Sequence, residues 1–177
     1  WSTPASWTVT SGSDADGIPD ANDDVVFNGT RTTSSTVGGA FAIRSLNVQA
    51  GYSSVIALGG NTLNISGGLT VASATQLQAF GGTMRFSGSQ TVNVPAPLGT
   101  VVVDAGAVVS LEADMLVSFN GTFAGAGVIR NAGGLLVVGR DNNQPYNFNF
   151  SGSIDDLVLD SGDNGDISIH QNLNVKN

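Results

Sequence analysis

The chain has 177 residues, enough for one or two domains, and an apolar share of 41% is sufficient for a buried core. Charged residues make up only 11%, and the net charge is −8 with six Lys and Arg, which argues against binding nucleic acid through its phosphates and against docking on anionic lipid. There is no Cys, so disulfides and thiolate metal sites are excluded.

Such a surface must be solubilised by Ser, Thr, Asn and Gln, as is common in proteins that work outside cells. It can also stack on itself with little repulsion. No apolar run reaches the roughly 18 residues that would span a bilayer, and no basic stretch followed by an apolar one opens the chain. A chain that begins at Trp1 is consistent with processing or with an excised fragment.

Residues 1–40 are predicted to be a distinct N-terminal capping segment. They hold both tryptophans, Trp1 and Trp7, and an acidic loop from Asp14 to Asp24 that leads into Val25-Val26-Phe27, read as a strand. Residues 29–40 are rich in Gly, Thr and Ser and read as a loop.

Residues 41–177 are predicted to be β-solenoid repeats. Short runs with period-2 alternation or continuous β-branched character follow one another at 55–58, 69–71, 77–80, 84–86, 101–103, 108–111, 116–119, 135–138, 148–150, 157–159 and 167–169. Gly pairs such as Gly59-Gly60 and Gly81-Gly82 punctuate them. No stretch has convincing helical periodicity.

A recurring phrase, an apolar residue, Asn and a β-branched residue, occurs as Leu46-Asn47-Val48, Leu63-Asn64-Ile65, Val92-Asn93-Val94 and Leu173-Asn174-Val175. Within it the apolar side chains are predicted to point inward and the Asn outward, where Asn could stack from rung to rung. Ile167-Ser168-Ile169…Leu173-Asn174-Val175 nearly repeats Ile56-Ala57-Leu58…Leu63-Asn64-Ile65. Together these favour an all-β, parallel β-solenoid of about six rungs at roughly 22 residues each. The alternative is an antiparallel β-sandwich or barrel, although Asn-Gly and Asp-Gly hairpin turns are few, at Asp16-Gly17, Asn28-Gly29 and Asn120-Gly121. Val102 and Leu116 are placed on the inward ladder.

The string Trp1-x5-Trp7…Gly17-Ile18-Pro19-Asp20…Asp23-Asp24-Val25-Val26-Phe27 resembles the opening of bacterial secreted and autotransporter-like surface proteins. The stretch from Leu98 to Thr122 is similar to their rungs, with a strand, a small turn, a strand and Asn-Gly-Thr. The resemblance implies a right-handed β-solenoid at the cell surface with a structural or adhesive role, and it carries over no catalytic residues.

The best chemical candidate is the acidic loop. Asp14, Asp16, Asp20 and Asp23 resemble the calcium loops of thrombospondin type 3 repeats and EF-hands, with Gly12 where a first Asp would sit. The competing reading is a solvated turn in which each Asp accepts from local backbone N–H groups. A second cluster holds Asp155, Asp156, Asp160, Asp163 and Asp166, where Gly162–Asp166 is faintly like a single calcium-binding nonapeptide turn.

A polysaccharide lyase would need acids for calcium beside a Lys or Arg base. Arg140-Asp141 is the one close pairing in sequence, and His170, the only histidine, is expected to face outward. Tyr146-Asn147-Phe148-Asn149-Phe150 could stack on sugars, but it reads first as a rung with the aromatics inward, and Trp1 and Trp7 as a cap on the first rung. Sequons at Asn28, Asn64, Asn120 and Asn149 are no more than such a composition produces by chance.

The expectation is therefore a non-enzymatic extracellular protein of the bacterial cell surface, structural or adhesive. The rival is a carbohydrate-binding or carbohydrate-cleaving β-helix acting on a surface polysaccharide. No polar plug follows Ile167 to Val175, so the final rung is expected to be covered by more chain or by another copy, with the Trp-bearing segment as the partner surface.

Overall fold

Among the described residues, strands that follow one another in sequence do not pair as hairpins. Each run pairs instead with its counterpart one turn away. The computed structural model of the protein describes residues 1–117, 121–139, 146–161, 166–171 and 174–176. It is all-β, with parallel strands stacked in about seven turns, a β-solenoid. Every strand pairing among the described residues is parallel, which removes the antiparallel sandwich.

Three columns of strands run the length of the stack. The first contains the opening halves of Phe41–Val48 and Thr62–Val71, then Thr83–Phe86, Thr100–Val103, Thr122–Gly125, Tyr146–Phe150 and Ile167–Ile169. The second begins with Asp24–Phe27 and takes the closing halves of the two long strands. It continues through Gln90–Asn93, Val108–Leu111, Val128–Arg130, Ser153–Ile154 and Asn174–Val175. The third holds Ser35–Thr36, Ile56–Ala57 and Leu77–Gln78, then Leu98 bridged to Met115–Val117, Leu136–Val138 and Leu157–Leu159.

Stacking reaches back to Asp24, so residues 24–40 already supply strands to two columns, ahead of the expected start at residue 41. The Ser/Thr-rich composition concealed this. Ser35–Thr36 is a two-residue strand, and Val37 beside it is fully buried.

Turn length varies more than a fixed repeat implies. The register advances 21 residues from Thr62 to Thr83, 17 from Thr83 to Thr100 and 25 from Thr122 to Asn147. Corners absorb the difference, and at one of them Gly59 and Gly60 take φ of 59° and 85°, the left-handed region that favours glycine.

The interior consists of ladders of apolar side chains. Leu63, Met84, Val101, Phe123 and Phe148 succeed one another in register, all fully buried. Phe123 and Phe148 stack with ring centroids 5.5 Å apart and planes 14° apart.

Two parts of the predicted pattern need correction. Val102 and Leu116 face outward and are half-buried, while Val101, Val103, Met115 and Val117 point in. A continuous apolar run carries no alternation to set its phase, and the neighbouring rungs set it instead. Leu116 is in register with Val137, which is buried, and Val137 with the exposed Val158. The Asn residues of the recurring phrase do not form a continuous ladder either, since Asn47 is in register with Thr70 and Thr70 with Asn93. Phe119, the Asn120-Gly121 turn, Arg140-Asp141, Asp163 with its Gly162–Gly165 turn, and Leu173 fall wholly or partly outside the described residues.

Candidate functional site

At the N-terminal end, Pro4–Ser6 forms a single 3-10 turn between the two tryptophans. Trp7 Nε1 donates to the Trp1 carbonyl at 2.9 Å, and Trp1 Nε1 donates to Ser35 Oγ at 3.0 Å. The indoles meet edge to face at 5.4 Å, and both lie against Phe27, with Trp1 also against Phe41. They are a lid on the first turn. Behind it, Tyr52 is buried and donates to the Thr33 carbonyl at 3.0 Å, and burial raises its pKa. The Arg31 guanidinium holds the segment in place, donating to the Ser6 carbonyl at 2.9 Å.

The four predicted calcium ligands are turn-formers. Asp14 Oδ1 accepts from the N–H groups of Asp16 and Gly17 at 3.3 and 3.1 Å, and Asp16 Oδ1 from Ile18 at 3.0 Å. Asp20 Oδ1 accepts from Asn22, and Asp23 Oδ2 from Asp20, both at 2.7 Å. Asp20 and Asp23 share one turn and Asp14 and Asp16 another, and no three metal-ligating groups converge among the described residues. One oxygen of each carboxylate accepts from the loop's own backbone N–H groups, as short Asp-rich loops commonly arrange.

Between this segment and the first strand lies a groove of about 980 Å³. One wall is Thr8–Asp14 and the other is the strand Asp24–Phe27, with Trp7, Asp23, Arg31 and Arg44 among its lining. On that strand Asp24 accepts from Arg44 Nε at 2.8 Å and from Ser45 Oγ at 2.6 Å, and Arg44 Nη2 closes the second arm of the fork. The bonds from Arg44 and Ser45 hold the Asp24 carboxyl at about 2. The comparable pair of Arg85 and Asp104, at 2.9 Å, lies mid-stack and away from the groove.

Other predicted features resolve into packing. In Tyr146–Phe150 the aromatics point in and the Asn residues out. Tyr146 donates to the Gly99 carbonyl at 3.1 Å in a buried setting that raises its pKa far above the ordinary tyrosine value. His170 is exposed, and its Nε2 lies 3.3 Å from Asn147 Oδ1. The backbones of Asp155, Asp160 and Asp166 join the rung-to-rung bonding, through Asp155 N–H to Ile129, Asp160 N–H to Val138 and the Asp166 carbonyl to Tyr146.

One feature is absent from the sequence reading. The exposed large apolar side chains among the described residues are Val9 and Val26 at the start of the stack, and Leu135, Val158, Leu159, Ile169 and Val175 in its last turns. Val26 is exposed because it alternates with the buried Val25 and Phe27 and points outward. No family model matches the chain, and no curated protein or solved structure is significantly similar to it.

Proposed function

We propose that the chain is a non-enzymatic structural or adhesive β-solenoid of the bacterial cell surface that assembles end to end. The observation that carries this reading is the confinement of exposed apolar side chains to the two ends, with 49% of Ile169 and 47% of Val26 exposed while the middle turns show none among the described residues. Exposed apolar groups gathered in this way mark contact surfaces. The low charge content and the surface of hydroxyls and amides suit an extracellular setting. Light scattering across a concentration series, with electron microscopy of the same samples, tests assembly. Rods that lengthen with concentration are expected, and strict monomers at high concentration would refute end-to-end growth.

A second reading, carbohydrate binding, draws on the groove, where Asp23 and Asp24 lie with Arg31 and Arg44 beside Trp7. Indole fluorescence titrated with surface polysaccharide tests it. A saturable change that Trp7→Ala abolishes would favour it.

A further inference from the structure

We propose that residues 8–10 are a strap that closes on the open edge of Asp24–Phe27 as an antiparallel strand, with Thr8 opposite Val26 and Thr10 opposite Asp24, and so shuts the groove. The proposal stands on the N-terminal segment and is independent of end-to-end assembly.

The edge comes first. Among the described residues Asp24–Phe27 pairs on one side only, with Phe41–Val48. The Asp23 carbonyl accepts from the N–H groups of Arg44 and Ser45, and the Phe27 carbonyl from that of Gln49, at 2.9 to 3.3 Å. In a parallel ladder alternate residues of a strand turn their N–H and C=O groups toward the partner. Asp23, Val25 and Phe27 therefore face Phe41–Val48, while Asp24 and Val26 turn their backbone groups into the groove that both of them line. Such an edge is a template for a further strand.

The opposite wall carries the matching pattern. Trp7-Thr8-Val9-Thr10 alternates apolar and hydroxyl residues, with the period of a strand that has one face covered. Trp7 already has extended backbone, at φ −116° and ψ 153°, and its N–H donates to the Pro4 carbonyl at 3.0 Å. Its indole lies edge to face with Phe27 at 5.7 Å. Two side chains meeting on one face, with the N–H of one directed elsewhere, is the arrangement of a non-hydrogen-bonded pair in an antiparallel ladder. Phe27 ends its strand, so a strap that runs on from Trp7 along that strand runs antiparallel to it.

The register follows from this pair. Thr8 exchanges both backbone bonds with Val26, Val9 comes over Val25, and Thr10 exchanges both bonds with Asp24. Residues 11–23 then form the loop of the hairpin and keep the two Asp turns. Residues 8–10 are exposed, and among the described residues none of their backbone groups has a hydrogen-bond partner. Closing satisfies Thr8 and Thr10 and covers Val9, which is 49% exposed. It also takes up the space between the two walls, so a closed strap and a saccharide in the groove exclude each other.

The absence of Cys permits trapping. Directly opposed residues of an antiparallel pair have Cα atoms about 5.5 Å apart, within disulfide reach, whereas diagonal ones are about 7–8 Å apart and beyond it. Thr8→Cys with Val26→Cys in one chain is therefore expected to close an intramolecular disulfide at least about ten-fold faster than Thr10→Cys with Val26→Cys. All three positions are exposed, so the substitutions leave the core intact. In the locked Thr8/Val26 chain, exchange of the Thr10 and Asp24 amide hydrogens should slow at least about ten-fold relative to the reduced chain. The Val9 N–H points away from the strand in this register and should keep its rate.

Equal closure rates for the two pairs, no disulfide in either, or a locked chain whose Thr10 and Asp24 amides exchange as fast as that of Val9 would overturn the strap. None of these results bears on assembly, so the end-to-end reading stands or falls separately on light scattering.

Discussion

Gly125 is in register with Phe150 on the next turn and with Val103 on the preceding one, and it is the one point in its strand where a side chain has no space. A Cβ there would fall 1.9 Å from the Val103 carbonyl oxygen, and φ is +111°. The backbone draws in at that point, and Phe150 lies over Phe123 with ring centroids 5.0 Å apart.

Gly125→Ala is therefore expected to lose at least about 2 kcal/mol, from a strained φ and a displaced carbonyl together. Urea denaturation followed by circular dichroism measures it. An unchanged midpoint would mean that the strand can straighten freely.

The phase of the 101–103 run gives a paired test. Val101 is fully buried and Val102 half-buried on the outer face. Val101→Asp should abolish cooperative folding, because an unpaired buried charge costs several kcal/mol in a fold of marginal stability. Val102→Asp should stay within about 1 kcal/mol of the parent. Equal effects in thermal melts would contradict the in-out assignment.

Asp24 carries a pH dependence. Its folded pKa of about 2 lies below the unfolded value near 3.8. The contribution of its pairing is thus complete above the unfolded value and is lost as pH falls through the folded one. Both side chains are about half exposed, at 55% and 49%, so solvent screening limits the effect to about 1 kcal/mol or less. Comparing melts of the parent and Asp24→Asn, the gap should be present at neutral pH and shrink between about pH 4 and pH 2. A gap that widens on acidification would reverse the assignment.

Calcium offers a test of the acidic loop. Asp14 and Asp16 lie in one turn and Asp20 and Asp23 in another, and no three metal-ligating groups converge among the described residues, so ion binding would require the loop to rearrange. Millimolar calcium is expected to leave the melting temperature where chelator leaves it. A rise of more than about 2 °C would show that the loop re-forms around an ion.

The sequence by itself determined the class of fold. Short alternating runs, tight corners and the phrases around Asn47, Asn64 and Asn93 allow no architecture so readily as stacked parallel strands, because period-2 alternation and corner glycines are local properties. It also specified the inward aromatics of Tyr146–Phe150 and the tryptophan lid, whose large apolar rings must be covered. Tertiary structure alone decided the rest. The phase at Val102 and Leu116 comes from the neighbouring rungs. The division of the four Asp residues between two turns depends on which N–H groups the folded loop presents. The ladder from Leu63 through Met84, Val101 and Phe123 to Phe148 exists only once turns of unequal length have been brought into register. Alignment between rungs is a sum of corner lengths along the whole chain, and no local pattern encodes that sum.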